Sequence, residues 1–257
     1  MKKFDIAILG ATCYGISYAA SCKASCILID KQISVGSEFV YSYKYAKADM
    51  NLKSENLNRI IGSMKTRKLI DENGNYHLLP LRGIISEFVL EKNLNIMFDT
   101  RIVKIEKEND LFCITLVNNN GISKIYAEKI LDTTSRRYDG AYTANKKLAA
   151  IISDGNSELS DSENIHFEKC MFEDDYIMYY DADENDTLQT ASEKLIKAFS
   201  SLYEGKYHIA SIARAFLYEY KSPVNDSDNG YVFHPSEQYI NFAEAIKEGE
   251  NASKTDN

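Results

Sequence analysis

The sequence predicts an α/β protein that opens on a βαβ unit, and three observations carry that expectation. Residues 4–9 (FDIAIL) form a short apolar run with β-branched members, the pattern of a strand buried in a parallel sheet. A glycine-bracketed turn, Gly10-Ala11-Thr12-Cys13-Tyr14-Gly15, follows at once, and residues 16–22 continue as a helix with small residues toward the sheet. Residues 26–29 are a second apolar run, closed by Asp30. An acid about 20 residues after the first glycine of such a turn is the spacing of a Rossmann-like dinucleotide-binding unit.

Each position in that unit has a physical job. The first glycine makes the tight turn, the last lets helix and strand pack closely, and amides at the helix N-terminus face phosphate. Gly10, Ala11, Thr12, Tyr14 and Gly15 are therefore the candidate pyrophosphate residues, and Asp30 with Lys31 the candidate ribose residues. Thr12 occupies the place of the middle glycine, where its side chain either crowds the phosphates or offers a hydroxyl. A βα turn in some other α/β fold is the plain alternative.

Residues 31–80 read as a polar excursion with one helix around 54–64, and residues 82–92 as a helix introduced by Leu79-Pro80-Leu81. A strand is expected at 95–98. Three meander strands are expected at 101–106, 111–118 and 123–127, then a short apolar strand at 129–132. Beyond a polar linker at 153–163, residues 166–170 and 175–180 suit strands. Residues 190–204, 207–217 and 236–248 suit helices, and 224–230 a loop. The domain expectation is a Rossmann-like domain over 1–150, a smaller α+β half that completes it over 151–250, and a flexible tail over 251–257.

Composition narrows the class. The 257 residues, 44% hydrophobic and 26% charged, suit a globular chain, and a net charge of −8 disfavours a general nucleic-acid binder. Five cysteines without a CxxC pair suggest reduced thiols in a cytoplasmic protein. The start, Met1-Lys2-Lys3 to Ala20-Ser21-Cys22, superficially resembles a lipoprotein signal peptide. Asp5, Gly10, Gly15 and Lys23 fit a strand–turn–helix better. No apolar run is long enough to span a bilayer.

Further along, residues 31–39 (KQISVGSEF) resemble the segment after the ribose-binding acid in FAD-dependent oxidoreductases of the glutathione-reductase-like class. There the acid is followed six and seven residues later by Gly-Gly; here Asp30 is followed by Gly36 and Ser37. The order of helix, strand, meander and final strand also resembles that family, and Asp132-Thr133-Thr134-Ser135 stands where the family has an Ala-Thr-Gly-like motif. Residues 207–218 and 230–249 are more faintly similar to its distal part, without its late Gly-Asp pair. The resemblance implies FAD as cofactor, with Gly36, Ser37 and Thr134 approaching it beside the turn and Asp30. It implies a small-molecule substrate and flavin-dependent oxidoreductase chemistry. Two alternatives stay open: a non-catalytic relative serving as a binding or partner subunit, and an NAD-binding enzyme. Homo-oligomer and partner-subunit arrangements are both compatible with the chain.

Other features have blander readings. Cys13 at a helix N-terminus could have a lowered pKa, yet a small residue packed beneath the cofactor is the better reading. The acidic run Asp181–Asp186 mimics a calcium loop, but Asp186 and Ser192 fall at its sixth and twelfth positions, where glycine and a bidentate acid are needed. His234 before Pro235 could face a cavity, Arg136 and Arg137 could meet an anion, and Tyr41, Tyr43 and Tyr45 would share a face if extended.

Overall fold

A computed structural model describes residues 2–138, 144–153, 159–170, 176–203 and 207–255. The chain opens with β1 (Lys2–Leu9), α1 (Cys13–Ser21) and β2 (Cys26–Ile29), and β1 and β2 pair in parallel. After the short α2 (Ser37–Val40) come α3 (Glu55–Thr66), α4 (Leu81–Glu91) and β3 (Ile96–Met97), which extends the sheet beside β2. β4 (Arg101–Glu108), β5 (Leu111–Asn118) and β6 (Gly121–Asp132) form the expected meander. The α/β class holds as expected.

The two strands expected at 123–127 and 129–132 are one. β6 pairs antiparallel with β5 over its first half and parallel with β1 along residues 125–132. Period-two alternation explains how one strand serves both. On β1, Ile6 and Ile8 face the helices, packing in a cluster with Tyr14, Ile84 and Phe88. Ala7 and Leu9 face the other way, with Ile27, Ile29, Phe112, Ile114 and Leu116 under the meander.

A second, antiparallel sheet follows: β7 (Asn145–Ser153), β8 (Ile165–Lys169), β9 (Tyr176–Ala182), then α5 (Leu188–Tyr203), β10 (His208–Ile212) and β11 (Leu217–Glu219). Here the sequence reading needs correction. Residues 207–217 are not a helix: β10 and β11 both pair with β7, and a bulge between Ile209 and Ser211 breaks the first ladder. The central strand β7 straddles residue 150, the expected domain boundary.

The chain then returns to the first sheet. β12 (Asp226–Asp228), which falls inside the expected loop, and β13 (Tyr231–Phe233), just after it, form a hairpin, and β13 pairs in parallel with the end of β6. A 3₁₀ turn at Ser236–Gln238 leads into α6 (Phe242–Thr255), so the last helix starts later than expected and the expected tail is helical through Thr255. Glu250 of α6 accepts the Glu55 and Asn56 amides at the start of α3, at 3.2 and 2.8 Å, tying the two helices together. Among the described residues no helix is long and apolar enough to cross a membrane.

Candidate functional site

The candidate site lies at the carboxyl ends of β1, β2, β6 and β13, where open α/β sheets place their ligands. Gly10 sits at φ +94°, a backbone conformation that favours glycine. A Cβ at Gly15 would lie 2.9 Å from the Gly10 carbonyl and 3.0 Å from Ile8, so close helix–strand contact requires this glycine. Thr12 is the N-cap of α1: its Oγ1 accepts the Gly15 amide at 3.1 Å and lies 2.7 Å from Thr133 Oγ1. Its hydroxyl is thereby spent inside the protein. Replacing Thr12 by Val should cost about 1–2 kcal/mol in thermal or urea unfolding, because it removes a cap and strands the Gly15 donor. Unchanged stability would remove Thr12 from this role.

The Ala11, Cys13 and Tyr14 amides of the turn also have partners. The Ala11 amide donates to Asp30 Oδ2 at 2.7 Å, and the Gln32 amide to Asp30 Oδ1 at 2.8 Å. Burial pushes the Asp30 carboxyl up against the opposing pull of these two amides. The Cys13 amide donates to Glu38 Oε1 at 2.7 Å. The Ser236 hydroxyl donates to the same oxygen at 2.9 Å and accepts the Tyr14 amide at 3.2 Å. A buried carboxylate of this chain, with the Ser236 hydroxyl bonded to it, therefore occupies the N-terminus of α1, the position such a turn offers to phosphate.

That carboxylate is unusually placed. Glu38 is 6% exposed, and its second oxygen, Oε2, has no hydrogen-bond partner among the described residues. Burial pushes its pKa from 4.5 up to about 7, with the Cys13 amide and Ser236 pulling the other way and Asp30 adding to the rise. Glu237 is just as buried, with an unpartnered Oε2 of its own, while its Oε1 accepts the Tyr218 amide at 2.9 Å. Burial drives Glu237 up as well, and Lys44, whose ammonium donates to the Glu237 carbonyl, opposes it. The Cys13 thiol is fully buried and raised by burial and by Glu38, so the helix dipole does not make it reactive.

Around this centre the predicted residues fall into three groups. Gly10, Ala11, Thr12, Tyr14, Gly15 and Asp30 come together, and Gly36 joins them by donating its amide to the Ala11 carbonyl at 2.9 Å. Gly36 takes φ +63° at the start of α2, with Ile85 2.9 Å from where its Cβ would be. Ser37 begins α2 and is half-buried, and Lys31 is exposed beside Asp30. Thr134 turns back on Asp132, donating to its Oδ1 at 2.6 Å. The Thr134 methyl lies against Gly10, and its neighbour Thr133 also reaches the turn, donating to the Leu9 carbonyl at 2.9 Å.

The sequence reading missed Glu38, Ser236 and Glu237. The available signal was a single acid, Glu38, two residues after Gly36 and just before the apolar pair Phe39-Val40. His234 follows β13, 4.5 Å from the Tyr14 ring, with Nε2 2.7 Å from the Tyr239 hydroxyl; burial lowers its pKa to about 4. The three tyrosines do not share a face: Tyr41 accepts from Ser34, the Tyr43 hydroxyl meets Ser211 on β10, and Tyr45 packs on Tyr76. Arg137 pairs with Asp226, and Lys194 ties down Asp183 and Asp186 in the acidic turn. A cavity of about 720 Å³ lies beside Lys146, Lys147, Asp181 and Glu219, away from the glycine turn.

No protein-family profile matches the chain, and no curated protein does. Solved structures do match in fold. The p-nitrophenol 4-monooxygenase of Pseudomonas putida DLL-E4 superposes with a TM-score of 0.64 at 10% identity, over 99% of this chain and 79% of that one. Aklavinone-11 hydroxylase, solved with FAD and aklavinone, gives 0.57 at 11% identity, over 99% of this chain and 62% of that one. The myxobacterial chondrochloren halogenase, a variant of FAD-dependent halogenases, gives 0.58 at 9% identity over 98% and 73%. At these identities the likeness is one of fold. This chain spans about three fifths of the aklavinone hydroxylase's length.

Proposed function

We propose that the chain is a flavin-dependent oxidoreductase that holds FAD at the carboxyl ends of β1, β2 and β6 and acts on a small organic substrate. The observation that carries this reading is the glycine turn opening α1, where the Cys13 amide meets a buried carboxylate and the Tyr14 amide the adjoining Ser236 hydroxyl, with Asp30 at the end of the neighbouring strand. Support also comes from the fold likeness to a hydroxylase solved with FAD and to an FAD-dependent halogenase. The narrower likeness to the glutathione-reductase-like class rests on residues 31–39 and the order of elements.

The donor chemistry suits FAD, but the arrangement does not accommodate it as it stands. Glu38 holds the Cys13 amide and Ser236 the Tyr14 amide, the two that the pyrophosphate would claim, so FAD fits only with Glu38 withdrawn. In that state the Cys13 and Tyr14 amides would hold the pyrophosphate. Asp30 would take ribose hydroxyls on the lone pairs that Ala11 and Gln32 leave. Bound flavin would supply the redox chemistry, which the protein itself cannot. The same occupancy by Glu38 and Ser236 favours a second reading, a non-catalytic relative that retains the fold as a binding or partner subunit.

The visible spectrum of purified protein, with and without added FAD, separates the two. Stoichiometric flavin absorbance is the expected result, and colourless protein at saturating FAD would leave the second reading. Asp30→Asn keeps the side-chain shape while removing the charge, and it should weaken FAD binding roughly tenfold or more. Unchanged affinity would sink the ribose assignment.

A further inference from the structure

The helix α1 begins at an anion position that is built and already filled from within. Its nine residues start at Cys13, whose amide donates to Glu38 Oε1, and Tyr14's amide reaches the Ser236 hydroxyl that donates to the same oxygen. The occupant is itself held in place: Gly36, immediately before α2, donates its amide to the Ala11 carbonyl and so pins the start of α2 against the turn. Yet the occupant is a poor fit for so dry a place. Oε2 of Glu38 is buried without a partner, facing an environment that also contains Asp30, Cys13, Glu237 and Lys44. A buried carboxylate oxygen without a donor is costly. A diphosphate has more acceptor oxygens and charge with which to answer the same amides.

We propose that Glu38 is an internal stand-in for phosphate: its carboxylate holds the anion position of α1, a nucleotide's diphosphate enters only as this side chain leaves, and Glu38 therefore sets the chain's affinity for such ligands. The inference rests on the reading of the turn as a phosphate site. It goes further in naming the residue that competes for it and the ligand class, diphosphates, that the competition governs. Displacement also releases Ser236, whose hydroxyl is then free to donate to the incoming anion. The four-residue α2 is the element that must move, because Glu38 is its second residue.

The test uses the full chain as wild type, Glu38→Ala and Glu38→Gln, with inorganic pyrophosphate as probe, followed by calorimetry and by thermal shift. Glu38→Ala should bind pyrophosphate roughly ten- to a hundredfold more tightly than wild type. Glu38→Gln, which keeps one acceptor oxygen without the charge, should fall between. Equal affinity across the three, or binding by none, overturns the proposal. Should Glu38→Ala not fold, the Gln variant and an NMR titration of the wild type decide. Saturating pyrophosphate must shift the Cys13 and Tyr14 amides and the Glu38 side-chain carboxyl together. Amide shifts without a Glu38 shift overturn it. A parallel FAD titration keeps the two readings distinct. Pyrophosphate binding by Glu38→Ala without FAD binding keeps the stand-in and sinks the flavin assignment. Equally tight FAD binding by wild type and Glu38→Ala does the reverse.

Discussion

Glu38→Gln should leave stability nearly unchanged at pH 4.5 and raise it by about 3 kcal/mol at pH 8, as measured by urea unfolding across the range. The expectation follows from the folded-state pKa, moved by burial from 4.5 to about 7. Every tenfold gain in proton affinity on folding corresponds to about 1.4 kcal/mol. The folded protein holds this proton more tightly than the unfolded chain does. The associated stability is therefore fully present below pH 4.5 and is lost as pH rises through 7. Glutamine mimics the neutral form and keeps an acceptor for the Cys13 amide and Ser236, so its curve loses this descent. Glu237 is raised by burial in the same direction, to about 8, so the variant keeps the descent that belongs to Glu237 and loses only that of Glu38. His234 acts on the acid side: burial lowers it to about 4, so its contribution is present above 6.5 and is lost as pH falls through 4. Parallel wild-type and Gln curves between pH 5 and 8 would mean that Glu38 does not carry a raised pKa.

Gly249→Ala should destabilise the protein by about 3 kcal/mol and lower its unfolding temperature accordingly. A Cβ there would lie 2.3 Å from the Tyr14 carbonyl oxygen and 3.0 Å from its carbon. Both partners are backbone, so no rotamer change relieves the overlap, and α6 must back away from α1. That movement should also loosen the bond between the Tyr14 amide and Ser236. Gly62→Ala on α3 is the control, since a Cβ there meets nothing within 4 Å. It should be neutral or stabilising by about 0.5–1 kcal/mol. A Gly249→Ala protein as stable as that control would show that the two helices are not in the contact described.

What could be read from the sequence was what is local. The opening strand, the glycine turn and Asp30 follow one another within about thirty residues, and their geometry is set by backbone sterics and period-two burial. The meander was legible for the same reason, from its turn residues and alternation. The second sheet was not. Residues 207–217 (YHIASIARAFL) space their apolar members well enough for a helix, and only pairing with β7, some sixty residues earlier, makes them strands. The central strand β7 itself, Asn145-Lys-Lys-Leu-Ala-Ala-Ile-Ile-Ser153, mixes helix and strand formers and raised no expectation. The site divides along the same line. Thr12 could be weighed as crowding or hydroxyl because the turn it sits in is local, although Thr133, its partner 121 residues on, could not be read that way. Glu38 stood out only as an acid before apolar neighbours; that its carboxylate enters the turn depends in part on Ser236, which lies 198 residues away.

The path of β6 has a consequence for how the chain assembles. Lys2 to Leu9 finds one of its two strand neighbours within about thirty residues, but the other lies beyond residue 120. β13 and α6 close over the turn only with the last tenth of the chain. During synthesis β1 therefore keeps one edge bare until about half the chain has emerged, and the turn stays uncovered until nearly all of it has. Such long-range closure makes folding slow and leaves a partly made chain prone to aggregate. A chain interrupted after residue 225 would carry every residue of the glycine turn and still lack Ser236 and α6, the parts that cover it.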